Sequence, residues 1–269
     1  MKILFCGDVV GRSGREIVIR NVPDLRRKLD LDFVFANAEN AAAGFGITDK
    51  LAQELYAGGV DCITTGNHIW DQREVIATID RDPKLLRPVN YPKGTPGRGV
   101  GVYATARGRK VAVINVMTRL FMDALDDPFA ALEAFFAQHR LGAVHAILVD
   151  VHGEATSEKM AVGHVCDGRA SLVVGSHSHV PTADAQILTG GTGYQTDAGM
   201  CGDYDSVIGM KKEIAIARFV RKMPGERLAP AEGEATLCAI YAEIDDATGL
   251  AKKIAPLRIG GRLAPAWPL

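Results

Sequence analysis

Ser171-Leu172-Val173-Val174-Gly175-Ser176-His177-Ser178-His179-Val180-Pro181-Thr182 is an apolar run that passes into a glycine and a His-x-His pair. The run predicts a buried strand, and Gly175 predicts its end. The two histidines then leave from the strand's C-terminal edge, where open α/β sheets bind ligands. Imidazoles at i and i+2 share a face in a regular strand, whereas a loop can aim them at two neighbouring ions. In both cases the pair calls for further ligands from elsewhere in the chain.

Upstream, the same strand-then-ligand pattern recurs. Lys2 to Cys6 reads as a strand ending at Gly7-Asp8, followed by a glycine-bearing loop and a helical pattern through Leu29. The glycines of this loop do not match the G-x-G-x-x-G dinucleotide fingerprint, and Asp8 would repel phosphates unless a cation lay between them. Gly11 and Gly14 are expected to let the loop pass close to bound metal. Asp32 to Ala36 is a second strand, ending in Asn37-Ala38-Glu39-Asn40. A helix over Thr48 to Gly58, with Thr48 as its cap, leads to a strand over Val60 to Ile63 and then Gly66-Asn67-His68. Three β-loop-α units thus deliver polar groups to one sheet edge.

The remainder adds one more ligand candidate and a change of texture. Asp80 to Gly99 reads as an irregular crossing, Val100 to Ala106 with Lys110 to Val116 as a hairpin, and Pro128 to Arg140 as a helix. Val144 to Val149 is a buried strand that delivers His152. After His179 helices are expected to cease. Ala185 to Leu188, Thr192 to Thr196, Glu213 to Arg221, Ala235 to Ile244 and Ala251 to Ile259 all read as strands, with Pro224 to Glu234 as a hairpin loop. That run predicts a second sheet packed on the first, so the expected fold is α/β, a sandwich of two mixed β-sheets flanked by α-helices, spanning residues 1–269 as a single domain.

Bulk properties narrow the function classes. The chain has 269 residues and a formal net charge of -1 with no basic face, which argues against nucleic-acid binding held by phosphate contacts. No apolar run approaches the ~20 residues of a membrane span, and no signal-peptide pattern precedes Ile3. A cytoplasmic protein is expected, and self-association is left open. The five scattered cysteines form no C-x-x-C pair, and Cys6 and Cys62 read as small buried hydrophobes. His139, His145 and His164 read as packing or surface residues, and Asp203 and Asp205 as loop polar groups.

Collected, the strand-end residues are Asp8, Glu39, Asn40, Asn67, His68, His152, His177 and His179. Carboxylates, amides and imidazoles in this number suit two first-row transition ions, because one structural zinc needs about four ligands and favours thiolate. Glu39 is the natural bridge, since a carboxylate gives one oxygen to each of two cations about 3.5 to 4 Å apart. Fe or Mn is the expected metal, and Zn also accepts such mixed ligands.

In order along the chain, Gly7-Asp8, Asn37-Ala38-Glu39-Asn40, Gly66-Asn67-His68, His152-Gly153 and Gly175-Ser176-His177-Ser178-His179 resemble the motifs of the calcineurin-like metallophosphoesterases. With Gly7-Asp8-Val9-Val10-Gly11, His177 to Asp184 and Thr196 to Gly202, the wording is similar to the YmdB-like bacterial phosphodiesterases. Two departures from the broad superfamily are Val10, where a histidine is usual, and Glu39, where the bridge is usually aspartate. The resemblance implies that Asn40 takes the missing histidine's place. It further implies that Asp8, Glu39, Asn40 and His179 hold one ion and that Glu39, Asn67, His152 and His177 hold the other. His68 would be the catalytic non-ligand that assists the leaving group. The implied activity is metal-dependent phosphodiester or phosphomonoester hydrolysis, with a small phosphorylated substrate and cyclic nucleotides foremost. Arg12 and Arg119 are weaker candidates for a distal phosphate. The competing expectations are a metal-loaded regulatory protein that binds a nucleotide with little turnover, and a hydrolase of carbon esters or amides.

Overall fold

The computed structural model describes residues 1–223 and 225–268. In chain order the elements are β1 (Lys2–Cys6), β2 (Asp8–Val9), α1 (Gly11–Leu29), β3 (Phe33–Asn37), α2 (Asp49–Ala57), β4 (Cys62–Thr64) and α3 (Val75–Thr78). Then come β5 (Val100–Ala104), β6 (Lys110–Met117), α4 (Pro128–Gln138), β7 (Ala146–His152), α5 (Thr156–Cys166) and β8 (Leu172–Ser176). The chain closes with β9 (Gln186–Ile187), β10 (Gly193–Gln195), β11 (Met200–Asp203), α6 (Lys212–Arg221), β12 (Ala235–Ile244) and β13 (Ala251–Ile259).

Two mixed sheets form, as expected. The first has the order β2-β11-β12-β1-β3-β4 with β13 beside β12, and the second has the order β5-β6-β7-β8-β10-β9. Parallel pairing joins β1, β3 and β4 in the first sheet and β6, β7, β8 and β10 in the second. Alternation along the strands builds the layers. Phe33 and Phe35 of β3 face Val111, Leu148 and Val174 between the sheets, while Val34 and Ala36 face α1 and α2 on the outside. On the far side, Ile147 and Val149 pack under Leu132 and Phe135 of α4 and Val162 of α5. The C-terminal ends of the parallel strands in both sheets therefore meet along one edge of the sandwich.

Several local expectations need correction. The last strands do not make up the second sheet: β11, β12 and β13 join the first, with β12 directly beside β1, and only β9 and β10 extend the second. Glu213 to Arg221 is a helix, not a strand. Its Ile214-Ala215-Ile216 alternation mimics a strand, yet only Ala215 is buried, and Ile216, Phe219 and Val220 face solvent. Glu213 in its first turn and basic residues in its last suit the helix dipole. The reading of Pro224 to Glu234 as a hairpin loop begins on Pro224, outside the described residues, and the stretch follows a helix, not a strand. Gly11 opens α1 at φ 60°. A methyl on Gly11 would press on Pro230, and one on Gly14 would lie 2.2 Å from the Cys201 carbonyl oxygen, so these glycines serve packing.

Other expectations stand. Thr48 caps α2 by accepting a hydrogen bond from the Leu51 amide. All five cysteines are buried. Among the described residues, no helix is long and apolar enough to cross a membrane.

Candidate metal centre

Every strand-end residue singled out in the sequence arrives at the shared edge. Asp8 starts β2, Glu39 and Asn40 follow β3, Asn67 and His68 follow β4, His152 ends β7, and His177 and His179 follow β8. Their contacts fall into two groups. In one, His179 Nε2 lies 3.1 Å from Asn40 Nδ2 and 3.8 Å from Asp8 Oδ1. In the other, His152 Nε2 lies 3.0 Å from Asn67 Oδ1, 3.1 Å from His177 Nδ1 and 3.1 Å from Glu39 Oε1. Ligand atoms of Glu39, His152 and His177 all lie within 4.8 Å of one another.

The outer nitrogen of each imidazole is held by an oxygen, which turns the inner one towards the other residues of the cluster. Ser176 Oγ donates to Asp150 Oδ1 at 2.7 Å and so accepts from His152 Nδ1 at 2.9 Å. His179 Nδ1 donates to the Ile208 carbonyl at 2.8 Å, and His177 Nε2 lies 3.3 Å from Glu154 Oε2. In all three cases the remaining nitrogen faces the cluster. Glu39 Oε1 is buried and meets His152 Nε2 at 3.1 Å, so it faces the same space. These donors fit first-row metal ions by chemistry and by direction.

Electrostatics agree. Burial raises the Asp8 carboxyl well above its usual range, and neighbouring Asp197 and Glu39 add to the rise. Burial also works against a charged Glu39 and a charged His152, but their mutual attraction wins, lowering Glu39 and raising His152 to about 9, so a cation here would take the place of the His152 proton beside Glu39. Burial and the neighbouring His152 bring His177 down to about 3, and burial lowers His179, so both stay neutral and able to coordinate. Buried carboxylates without enough counter-charge are stabilised by a bound cation.

The histidine loop is strained and braced. His177 and His179 sit at φ 99° and 64°, left-handed conformations that cost of order 1–3 kcal/mol each for residues with a Cβ. Asp197 Oδ2 accepts from the Ser178 amide at 3.0 Å and from Lys159 Nζ at 2.8 Å, and Lys159 also donates to the Ser176 carbonyl at 2.8 Å. Both charged side chains are 1% exposed. Close approach also constrains Gly66, where a Cβ would fall 2.2 Å from His152 Nε2.

His68 stands beside the cluster and outside it. Its amide donates to Glu39 Oε2 at 2.8 Å, and its Nδ1 lies 2.8 Å from Asp71 Oδ2. The local alternatives for Asp8 and Asn67 fail. The N-terminus of α1 has Val10 as its cap with no side-chain bond, and Asn67 turns its carbonyl to His152. His139 and His145 bond to backbone groups, and Asp203 and Asp205 serve loop contacts. Arg12 pairs with Glu16, and Arg119 lies near Asp127.

Sequence reasoning missed Lys159, Asp197, Glu154, Asp150 and Asp71. Lys159 is buried on α5 together with Val162, Gly163 and Cys166. Asp71 lies one helical spacing from His68.

Two mixed sheets with N/O donors gathered on their common edge define a hydrolase of the calcineurin-like metallophosphoesterase class. The profile of the family described as YmdB-like protein matches residues 4–257, and the chain belongs to that family. It is 48% identical over 254 residues, 94% of this chain and 95% of the relative, to a Bacillus subtilis protein named 2′,3′-cyclic-nucleotide 2′-phosphodiesterase. The crystal structure of a hypothetical protein from Thermus thermophilus matches with a TM-score of 0.90 at 42% identity, covering 97% of this chain and all of that one. A structure named a novel phosphatase, from Mycoplasma pneumoniae, matches with a TM-score of 0.88 at 33% identity, covering 97% and 93%.

Proposed function

We propose that the protein is a dinuclear metal-dependent phosphodiesterase that opens the 2′ bond of 2′,3′-cyclic nucleotides. The observation that carries this reading is the convergence of inward ring nitrogens, with His152 Nε2 and His177 Nδ1 beside the buried carboxylate of Glu39 and His179 Nε2 beside Asp8. The bond opened is suggested by the name of the Bacillus subtilis relative.

Asp8, Asn40 and His179 would hold one ion and Asn67, His152 and His177 the other, with Glu39 shared. When bound, such ions supply a hydroxide near neutral pH and neutralise the phosphate oxygens. The chain's own residues do the rest. Asn67 would contribute its neutral Oδ1, and Asn40 its own once the amide is turned from its Nδ2 contact with His179, which would leave more positive charge for the phosphate. Glu39 is fixed by the His68 amide, so one backbone group couples the bridge to the catalytic imidazole. Asp71 engages Nδ1 of His68 and orients the ring, leaving Nε2 as the atom that would pass a proton to the departing 2′ oxygen.

Metal content and hydrolysis of adenosine 2′,3′-cyclic phosphate, measured on the purified protein before and after chelation, test the reading. Loss of turnover on chelation and its return with Mn or Fe are expected. Full activity in metal-free protein would sink the proposal.

A further inference from the structure

The space beside His68 has a wall that the hydrolytic chemistry does not use. It forms a cavity of about 690 Å³, within the size range of small-molecule sites. Phe45, His68 and Gln72 line it together with Arg218 of α6, Arg227 and Pro230. Phe45 meets His68 edge-on at 5.2 Å between ring centroids, so an apolar surface adjoins the imidazole. Among the described residues, neither guanidinium has a carboxylate within 4.0 Å; Arg218 donates only to the Glu226 carbonyl, at 3.2 Å. Asp71, the acidic residue of this cavity, is engaged by His68 Nδ1. The arginine wall is therefore positive and open to an anion.

We propose that Arg218 and Arg227 form a subsite for a second phosphate, carried on the 5′ oxygen of the nucleoside whose cyclic phosphate is opened. The proposal rests on the phosphodiesterase reading. If His68 protonates the 2′ oxygen, the nucleoside lies on the His68 side of the reacting phosphorus, and this cavity receives its ribose and base. The 5′ oxygen then points away from the metals towards the arginines. Guanidinium groups suit such a phosphate through paired N–H donors. The preferred ligand class is thus a 5′-phosphorylated nucleoside 2′,3′-cyclic phosphate, either free or as the 3′ end of an RNA fragment. Such ends arise when an RNA 2′-hydroxyl attacks its own 3′ phosphodiester, so the class of reaction that supplies the substrate is RNA cleavage by internal transesterification.

Calorimetry on the manganese-loaded protein tests the subsite, comparing adenosine 3′-phosphate with adenosine 3′,5′-bisphosphate. The bisphosphate should bind about tenfold tighter or more, as charge-assisted bonds to phosphate imply. The Arg218→Ala/Arg227→Ala double variant should lose that preference, the Lys/Lys double variant should keep part of it, and Arg140→Ala, an exposed arginine after α4, should keep all of it. Equal affinities in the parent protein, or a preference that survives loss of both arginines, would overturn the subsite. Turnover of adenosine 2′,3′-cyclic phosphate, measured with and without a 5′ phosphate, separates the two readings. No turnover of either substrate with the affinity ratio intact removes the phosphodiesterase reading and supports the subsite. Turnover of both with an affinity ratio of one does the reverse. A dinucleotide ending in the cyclic phosphate distinguishes the sources: a higher kcat/KM than the phosphorylated monomer assigns RNA ends, and a lower one assigns the free nucleotide.

Discussion

The two sheets bring different atoms to the same edge. The first contributes carboxylate and amide side chains, Asp8, Glu39, Asn40 and Asn67, from the ends or starts of β2, β3 and β4. The second contributes nitrogen donors, His152, His177 and His179, from β7 and β8. The support also differs. The carboxylates and amides leave short parallel strands whose loops run close to their neighbours, as Gly66 shows. Two of the nitrogen donors sit in left-handed backbone braced by a buried ion pair. A centre divided in this way is assembled only when the apolar interior around Phe5, Phe35, Leu148 and Val174 brings the sheets together.

The comparison breaks first at the shared residue. Glu39→Gln keeps the shape but removes the charge on which both groups converge. Its kcat/KM should fall by about 10³-fold or more, given the several kcal/mol that metal-ion catalysis supplies. Bound metal, read by plasma mass spectrometry, should fall with it. A variant with full metal content and activity would mean that the oxygen side is dispensable.

His68→Ala sharpens the contrast, since it leaves both donor groups intact. A general acid contributes about 10²- to 10⁴-fold, so turnover of adenosine 2′,3′-cyclic phosphate should fall in that range. With bis-p-nitrophenyl phosphate, whose leaving group needs no proton, the loss should be much smaller. Equal losses on both substrates would show that the imidazole does not act as the proton donor to the leaving group.

Lys159→Met probes the nitrogen side alone. It leaves Asp197 buried without its cation, a change that costs about 3–5 kcal/mol of stability. Loosening of the His177 to His179 loop should weaken metal retention against a chelator about 10- to 100-fold, as loss of supporting contacts does elsewhere. Lys159→Arg should recover part of this. Lower stability with unchanged metal retention would make the pair a matter of packing only. The smallest expected effect is the roughly tenfold loss of 5′-phosphate preference in the Arg218/Arg227 variant.

Legibility in the sequence followed the same division. Donors that sit at a strand end beside a glycine were readable, because the signal is local: an apolar run, then Gly7-Asp8, Gly66-Asn67-His68 or Gly175-Ser176-His177. The parts that depend on contacts distant in sequence were not. Lys159 and Asp197 are 38 positions apart, and although Asp197 lies in the Thr196 to Gly202 stretch, nothing local to either residue pairs them. Helix α5 escaped notice because its apolar residues form no clean stripe: Met160 is exposed while Lys159 is buried. In α6, β-branched and aromatic residues predicted a strand, but this amphipathic-looking segment buries almost nothing and no sheet edge receives it. The two-sheet architecture was legible from strand count; the placement of β12 beside β1 was not, since antiparallel pairing across more than 230 residues leaves no local trace.

The division into an oxygen side and a nitrogen side is tested most directly by anomalous scattering at the Fe, Mn and Zn edges from crystals grown without added metal. Two peaks per chain are expected, one among Asp8, Asn40 and His179 and one among Asn67, His152 and His177, with Glu39 between them. A single ion, or none, in protein that still hydrolyses adenosine 2′,3′-cyclic phosphate would contradict it.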